Sequence, residues 1–474
     1  MNTNYSGRRG NEIARRTFLK RAAAASALTA FPFVTTSTVR GAVKDKVNLA
    51  CVGIGNRGAE DVLELHSTGL ANLVAFCDVD MGGPQTEKIL KRFPDVPRFQ
   101  DFRVMLEKMG NQIDAVSVGT PDFSHFPITM MAMSMGKHVY VEKPMARTFQ
   151  EVELMMAAEK KYKVAAQMGN QGHSGANYFQ FKAWTDAGII KDVTKITAHM
   201  NSPRRWHGWH VDALPEGDQI PSTLDWDEWL MTAQFHKFSS KYVQGNWRCW
   251  YDFGNGALGD WGAHILDSAH QFLKLGLPEE INAVHLDGPN PFIFPQASTL
   301  SFKFPERDSM PPVEVTWYDG QKNLPPLPAD YGDKVYSSDV PPPATGTLDA
   351  KLPPGKVIYG KDLVFKGGTH SATLKIIPDS KMKDMESTLP TYSKNNSEHH
   401  KNFLLACQGL EKCRSSFDIA GPLSQVLVLG VLAQRLNTRL TFDRATKQIT
   451  NNEIANQLLV GPPPRKGWEQ YYKL

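Results

Sequence analysis

The chain has 474 residues, 41% hydrophobic and 22% charged, which is ordinary for a folded protein and long enough for more than one core. Its formal charge of +4 is carried by the N-terminus: residues 1 to 42 hold seven basic side chains (Arg8, Arg9, Arg15, Arg16, Lys20, Arg21, Arg40) against Glu12, so the remainder sits near −2. That balance argues against a nucleic-acid partner. Five cysteines (Cys51, Cys77, Cys249, Cys407, Cys413), an odd number with no Cys-x-x-Cys pair, indicate neither a disulfide framework nor a zinc knuckle.

In chain order, Ala14-Arg15-Arg16-Thr17-Phe18-Leu19-Lys20 precedes an apolar stretch from Ala22 to Val34 and then small, polar residues to about Ala42. This reads as a twin-arginine export signal, so a periplasmic location is expected; a basic disordered tail is the competing reading. The apolar stretch is shorter than the roughly 20 residues a membrane span needs, and nothing later in the chain reads as long enough either.

Val47 to Val52 reads as a buried strand that runs into Gly53-Ile54-Gly55-Asn56-Arg57-Gly58. The first glycine permits the turn, the second lets backbone approach a pyrophosphate, and the third brings the following helix close to the sheet. Asp78 follows Gly58 by 20 residues, at the end of the next apolar run. A carboxylate there accepts hydrogen bonds from the adenosine ribose and repels a 2′-phosphate, which favours NAD over NADP. The glycines alone would also fit ordinary turns; strand, turn, helix, strand and acid in register are what argue for a dinucleotide.

Apolar and amphipathic segments then alternate. Strands are expected at Ile113–Val118, His138–Val141 and Val164–Gln167, and helices at Ser124–Met135 and Thr148–Tyr162. The fold class is α/β, with a Rossmann domain over 43–169. The following domain, 170–474, is expected to carry a large, mostly antiparallel open sheet, with strands at Lys195–Met200, Thr299–Phe304 and Val313–Tyr318. The Pro-, Gly- and Ser-rich stretch 319–396 reads as a long irregular insertion, either a lid or subunit arm or decoration without function.

Thr120-Pro121-x-x-x-His125, Glu142-Lys143-Pro144, Leu224-Asp225-Trp226-Asp227-x-Trp229 and Asp260-x-x-x-His264 complete a set that resembles the glucose-fructose oxidoreductase and inositol dehydrogenase (Gfo/Idh/MocA) family. The residues from Glu398 to Trp468 resemble the closing segment of its exported bacterial members. The resemblance implies cofactor contacts from Gly53, Gly55, Asn56, Arg57, Gly58, Asp78, Thr120, Pro121, His125, Glu142, Lys143 and Pro144, the last often after a cis peptide bond. It also implies that Lys143 contacts substrate and cofactor and that His264 exchanges the proton.

The chemistry of these residues agrees. Oxidising a carbinol requires removal of the hydroxyl proton, which suits a histidine of ordinary pKa near ~6.5. Asp260 lies four positions before His264 on a helix expected from Gly256 to Leu275, so the carboxylate is expected to orient the imidazole. Lys143 would favour the developing alkoxide. Taken separately, Glu142-Lys143 and Asp260/His264 also fit solvated surface pairs. Asp260, His264 and Asp267 share a helix face with metal-ligand character, but no second pair of suitable spacing accompanies them, and no metal is expected. Candidate substrate contacts are Gln171, His173, Arg204, Trp206 and Trp247; core packing or a subunit interface explains the tryptophans equally well.

Outside the cytoplasm no NAD pool exists for exchange, so an exported enzyme must keep its nucleotide bound. Two chemistries fit: hydride transfer between a sugar or glycoside ring hydroxyl and the bound cofactor, or glycoside cleavage by transient ring oxidation and elimination. The second belongs to a related glycosidase branch that lacks the lysine kept here as Lys143. A third reading is a non-catalytic, NAD-retaining sugar-binding protein, which loss of Lys143 or His264 would have favoured. The expected partner is a small sugar or glycoside, and a homo-oligomer is expected.

Overall fold

The computed structural model describes residues 45–201, 208–328, 330–331 and 352–474. Val47–Val52 (β1) is buried apart from a half-buried Asn48, as a parallel strand covered by helices on both faces must be. It pairs in parallel with Ala71–Cys77 (β2) and Ala115–Val118 (β4). Arg98–Phe99 (β3), His138–Glu142 (β5) and Ala166–Gly169 (β6) complete a six-stranded sheet in the order β3-β2-β1-β4-β5-β6, every pairing parallel. The strand order reverses between β1 and β4, which opens a crevice at the carboxyl ends of the strands. The helix Phe149–Tyr162 starts at a reciprocal cap, in which Thr148 and Glu151 bond each other's backbone N–H, and stops at Lys163 in the left-handed region.

The second sheet has nine strands: Lys195–Met200 (β7), Glu280–Asp287 (β8), Ala297–Phe304 (β9), Val313–Asp319 (β10), Gly355–Tyr359 (β11), Val364–Gly367 (β12), Lys375–Ile377 (β13), Arg439–Asp443 (β14) and Gln448–Ile449 (β15). Their order is β13-β12-β11-β7-β10-β9-β8-β14-β15, antiparallel except for the β7–β10 pair. β10 alternates, turning Val313, Val315 and Trp317 into the core.

Three expectations need correction. Residues 355–377, inside the stretch read as irregular, supply β11 to β13. Glycines hide them, because a Cβ on Gly355 would lie 2.3 Å from the Gly367 carbonyl oxygen, so the close pairing of β11 and β12 demands residues that weaken a strand pattern. The helix expected from Gly256 to Leu275 is two helices, Gly256–Ile265 and Asp267–Phe272, interrupted at Leu266. Finally, Phe417–Leu436 is long and apolar enough to cross a membrane. It is instead a core helix: Leu423, Leu427 and Leu429 are buried, and it packs against Phe149–Tyr162, Gly256–Ile265 and β8.

Candidate active site

The turn after β1 is shaped by close approach. Gly53 has φ +77°, and a Cβ on Gly58 would stand 2.1 Å from the Gly53 carbonyl oxygen. Gly119, after β4, is equally constrained, since its Cβ would meet Gly58 Cα at 2.6 Å. The helix Asn56–Ser67 therefore begins against the crevice, with Gly55 as N-cap and no side-chain cap, leaving its first N–H groups for an anion. This cradle fits a dinucleotide pyrophosphate. A continuous cleft runs from it along Asp78, Thr120, Pro121, Glu142 and Lys143 to Trp247.

At the adenosine end, the Asp78 carboxylate accepts the Ile54 N–H at 2.9 Å and the Asp80 N–H at 3.0 Å, and burial raises its pKa. Asp80 lines the cleft beside it and accepts the Thr223 hydroxyl at 2.6 Å. At the other end, Glu142 on β5 accepts from Gln171 Nε2 at 2.8 Å and from Arg57 Nε at 3.3 Å. Arg57 also contacts Glu60, Asp61 and Glu64, so carboxylates of its own helix surround its guanidinium while it lines the cleft.

The Lys143–Pro144 peptide bond is cis. Lys143 Nζ donates to Asp260 Oδ1 at 2.7 Å, joining the β5 loop to the helix Gly256–Ile265, with both side chains nearly buried. One turn on, His264 is 5% exposed, and its Nδ1 is buried with no hydrogen-bond partner. Burial, with His370 and Lys143 beside it, holds His264 well below the usual histidine range. The expectation that Asp260 chiefly orients the imidazole is thus revised: its carboxylate engages the lysine, and the histidine is neutral at neutral pH rather than near its midpoint.

Two buried residues hold the loops that carry these groups. His125 places Nδ1 2.9 Å from the Pro144 carbonyl oxygen and Nε2 2.8 Å from that of Thr120, tying the Thr120-Pro121 turn to the lysine loop. It is 1% exposed, so its place is behind the cleft wall and not in contact with a cofactor, which corrects its assignment. Asp122 accepts both the backbone N–H of Asn255 at 3.0 Å and its side-chain amide at 3.3 Å, anchoring the start of the helix that bears Asp260 and His264. Burial pushes Asp122 up to about 7.

Models of an oxidoreductase family match this architecture: its NAD-binding Rossmann fold covers residues 47–170 and its C-terminal α/β domain residues 176–290, together half of the chain. The chain belongs to the Gfo/Idh/MocA family. Among curated relatives, a glycosyl hydrolase family 109 protein 2 of Shewanella sp. (strain ANA-3) is 31% identical over 180 residues, 33% of this chain and 39% of that protein. The scyllo-inositol 2-dehydrogenase (NADP(+)) IolW of Bacillus subtilis (strain 168) is 26% identical over 202 residues, 42% and 44% of the two chains. The matches span less than half the length of either relative. The WlbA dehydrogenase from Chromobacterium violaceum, solved in complex with NADH and UDP-GlcNAcA, superimposes with a TM-score of 0.56 at 15% identity over 88% of this chain and 99% of that one. An aldose-aldose oxidoreductase from Caulobacter crescentus complexed with glycerol gives 0.53 at 15% identity over 84% and 100%. At such identity these likenesses show the fold.

The remaining candidates of this Gfo/Idh/MocA chain divide. Trp247 lines the cleft, although its ring also packs in an aromatic cluster with Trp229, Trp250 and Phe253. Gln171 stands behind the cleft, holding Glu142 and the Tyr140 hydroxyl. His173 is fully buried, with Nδ1 on the Asp267 carboxylate at 2.8 Å, so it supports the site instead of facing a substrate. Arg204 and Trp206 lie outside the described residues. The sequence reading missed His370, whose ring stacks on His264 with centroids 3.9 Å apart; it lies in the stretch read as insertion, where no periodic pattern drew notice. It also missed Asp122, although that residue directly follows the Thr120-Pro121 motif. Among the described residues, metal-ligand atoms converge at Asp61, Glu64 and His400, where the Arg57 guanidinium already bonds both carboxylates.

Proposed function

We propose that this chain is an exported oxidoreductase that transfers hydride between a ring hydroxyl of a sugar or glycoside and a tightly retained NAD. The observation that carries the reading is the buried pair between Lys143, which lines the dinucleotide cleft, and Asp260, with His264 one helical turn beyond. A nicotinamide in that cleft supplies the hydride exchange. His264, neutral at working pH, takes the hydroxyl proton; Lys143 favours the alkoxide that forms; Asp260 holds the lysine in place. Asp78 and Asp80 support NAD over NADP. A sugar-type substrate agrees with the aldose, inositol and UDP-sugar names of the relatives and neighbours. Arg15-Arg16 and the apolar stretch after them support export, and export requires that the nucleotide stay bound through the cycle.

The similarity to family 109 glycosyl hydrolases favours a second reading, glycoside cleavage through transient ring oxidation. One experiment separates the two. The exported protein is purified and denatured to identify released nucleotide, and native protein is mixed with candidate sugars and glycosides while nicotinamide absorbance and free aglycone are followed. Wild type is expected to reduce bound NAD in a single turnover, and His264→Ala to retain the nucleotide but lose roughly 10²- to 10⁴-fold in that rate. Equal rates in the two proteins would remove the proton role. Aglycone release without net redox would replace the first reading by the second.

A further inference from the structure

A general base that must find one substrate hydroxyl needs a fixed ring, and such a ring is usually held by a hydrogen bond to its second nitrogen. His264 has none: its Nδ1 is buried without a partner. What it has is a ring face. His370 stacks on it at 3.9 Å between centroids and 24° between planes, while Trp261 sets its edge against both, 6.1 Å from His264 and 5.7 Å from His370.

The segment that delivers His370 is tightly held. His370 has φ +45°, a left-handed conformation unusual for a non-glycine residue and of the kind found at functional sites. Thr369 before it is fully buried, and the Ala372 N–H closes a turn onto the Thr369 carbonyl at 3.0 Å. Lys356, buried on β11, donates to the Gly368 carbonyl at 3.2 Å. Two glycines just after β6 make room for this loop: a Cβ on Gly172 would stand 2.6 Å from His370 Cα, and one on Gly175 would stand 2.2 Å from Ser371 Oγ.

We propose that His370 is a positioning residue for the proton-exchanging base: its stacked ring fixes the plane of His264, and the pair holds only one proton at a time, which in the resting enzyme sits on His370. The inference rests on the oxidoreductase reading and extends it to a residue of the second domain. Two imidazolium rings face to face at this distance repel, so the first proton denies the second. His370 is the half-exposed partner and His264 the buried one, so solvent protonates His370 first, and His264 takes the hydroxyl proton as His370 returns its own to solvent. The other charged groups near His264 are Lys143 from the β5 loop and Arg57 from the helix Asn56–Ser67, which oppose a further positive charge, and Asp260 on its own helix, which is engaged by Lys143. His173 and Asp267 bond each other nearby.

The test uses full-length holoenzyme labelled at the histidine ring carbons, titrated by NMR from pH 5 to 8, with the His264 signal assigned through His264→Gln. In wild type, His370 takes up a proton in this range while His264 stays neutral. In His370→Phe, which keeps a stacking ring without charge, the His264 midpoint rises by about one pH unit. His370→Asn, which tolerates the left-handed backbone, is expected to raise it similarly. In single-turnover nicotinamide reduction, His370→Phe stays within about threefold of wild type at pH 8, with its acid limb displaced upward by the same amount. His370→Asn, lacking the ring, is slower by about tenfold or more at pH 8. A His264 titration and rate profile unchanged in both variants would overturn the proposal. A wild type that reduces no nicotinamide with any sugar would sink the oxidoreductase reading, while the titration still decides whether the two rings share one proton.

Discussion

The Lys143–Asp260 contact illustrates how one pair serves chemistry and stability together. Both side chains are nearly out of water, so removing one partner strips the other of its close counter-charge at a cost of roughly 3–5 kcal/mol. Lys143→Met and Asp260→Leu are therefore each expected to lower the melting temperature clearly. The double variant, with two apolar side chains in place of two ions, should recover most of that loss, because the desolvation penalty disappears with the charges. Hydride transfer should remain lost in the double variant, since no cation is left to favour the alkoxide. Thermal melts of the three proteins, read beside single-turnover rates, check both halves. A double variant no more stable than the worse single one would show that the pair is not energetically coupled.

At the level of elements, the helix Gly256–Ile265 is placed by Asp122, a carboxylate in the cofactor-side loop, which grips its cap residue Asn255. Burial raises Asp122 to about 7, far above its unfolded value, so between the two values the folded state binds the proton that the unfolded state has released. Stability must then fall as pH rises from about 4 through 7 and level off above. Asp122→Asn keeps an acceptor and removes the proton, so the melting temperature of the variant should decline less across that window, and a parallel decline would show that Asp122 is not the titrating group. Asp122 also shows what was legible. The glycine turn, β1, β4, β7 and the Glu142-Lys143-Pro144 loop were readable because each is a local pattern of periodicity or close backbone approach. The contacts between them were not: Lys143 and Asp260 are 117 positions apart, and sequence spacing alone placed Asp260 with the nearer His264. Strands β11 to β13 escaped because the glycines that permit their pairing mimic a loop, and His370 escaped with them.

At the scale of the whole molecule, the site and the proposed export constrain each other. None of the described cysteines is in a disulfide, and Cys51, Cys77 and Cys249 are buried in the core, so the fold does not wait on an oxidising compartment. The adenosine end of the cleft is closed by the second domain, since Thr223 bonds Asp80 and Gln100 Nε2 reaches the Thr223 carbonyl at 3.0 Å. A nucleotide enclosed in this way is best loaded as the chain folds, and the proposed twin-arginine route would permit loading before export. Replacing Arg15 and Arg16 with lysine should leave folded protein in the cytoplasm, still able to bind NAD, because lysine lacks the planar, forked guanidinium that such a motif presents. Fractionation of cells would show the cytoplasmic pool. Denaturing each purified fraction would show whether nucleotide occupancy is the same in the retained variant and the exported wild type. Full occupancy in both, with NAD and not NADP released, is the expected result. Undiminished periplasmic protein in the lysine variant would remove the export assignment. Exported wild-type protein that emerges empty would leave the fold and the site intact but remove the argument that retention, and hence a closed redox cycle, follows from where the enzyme works.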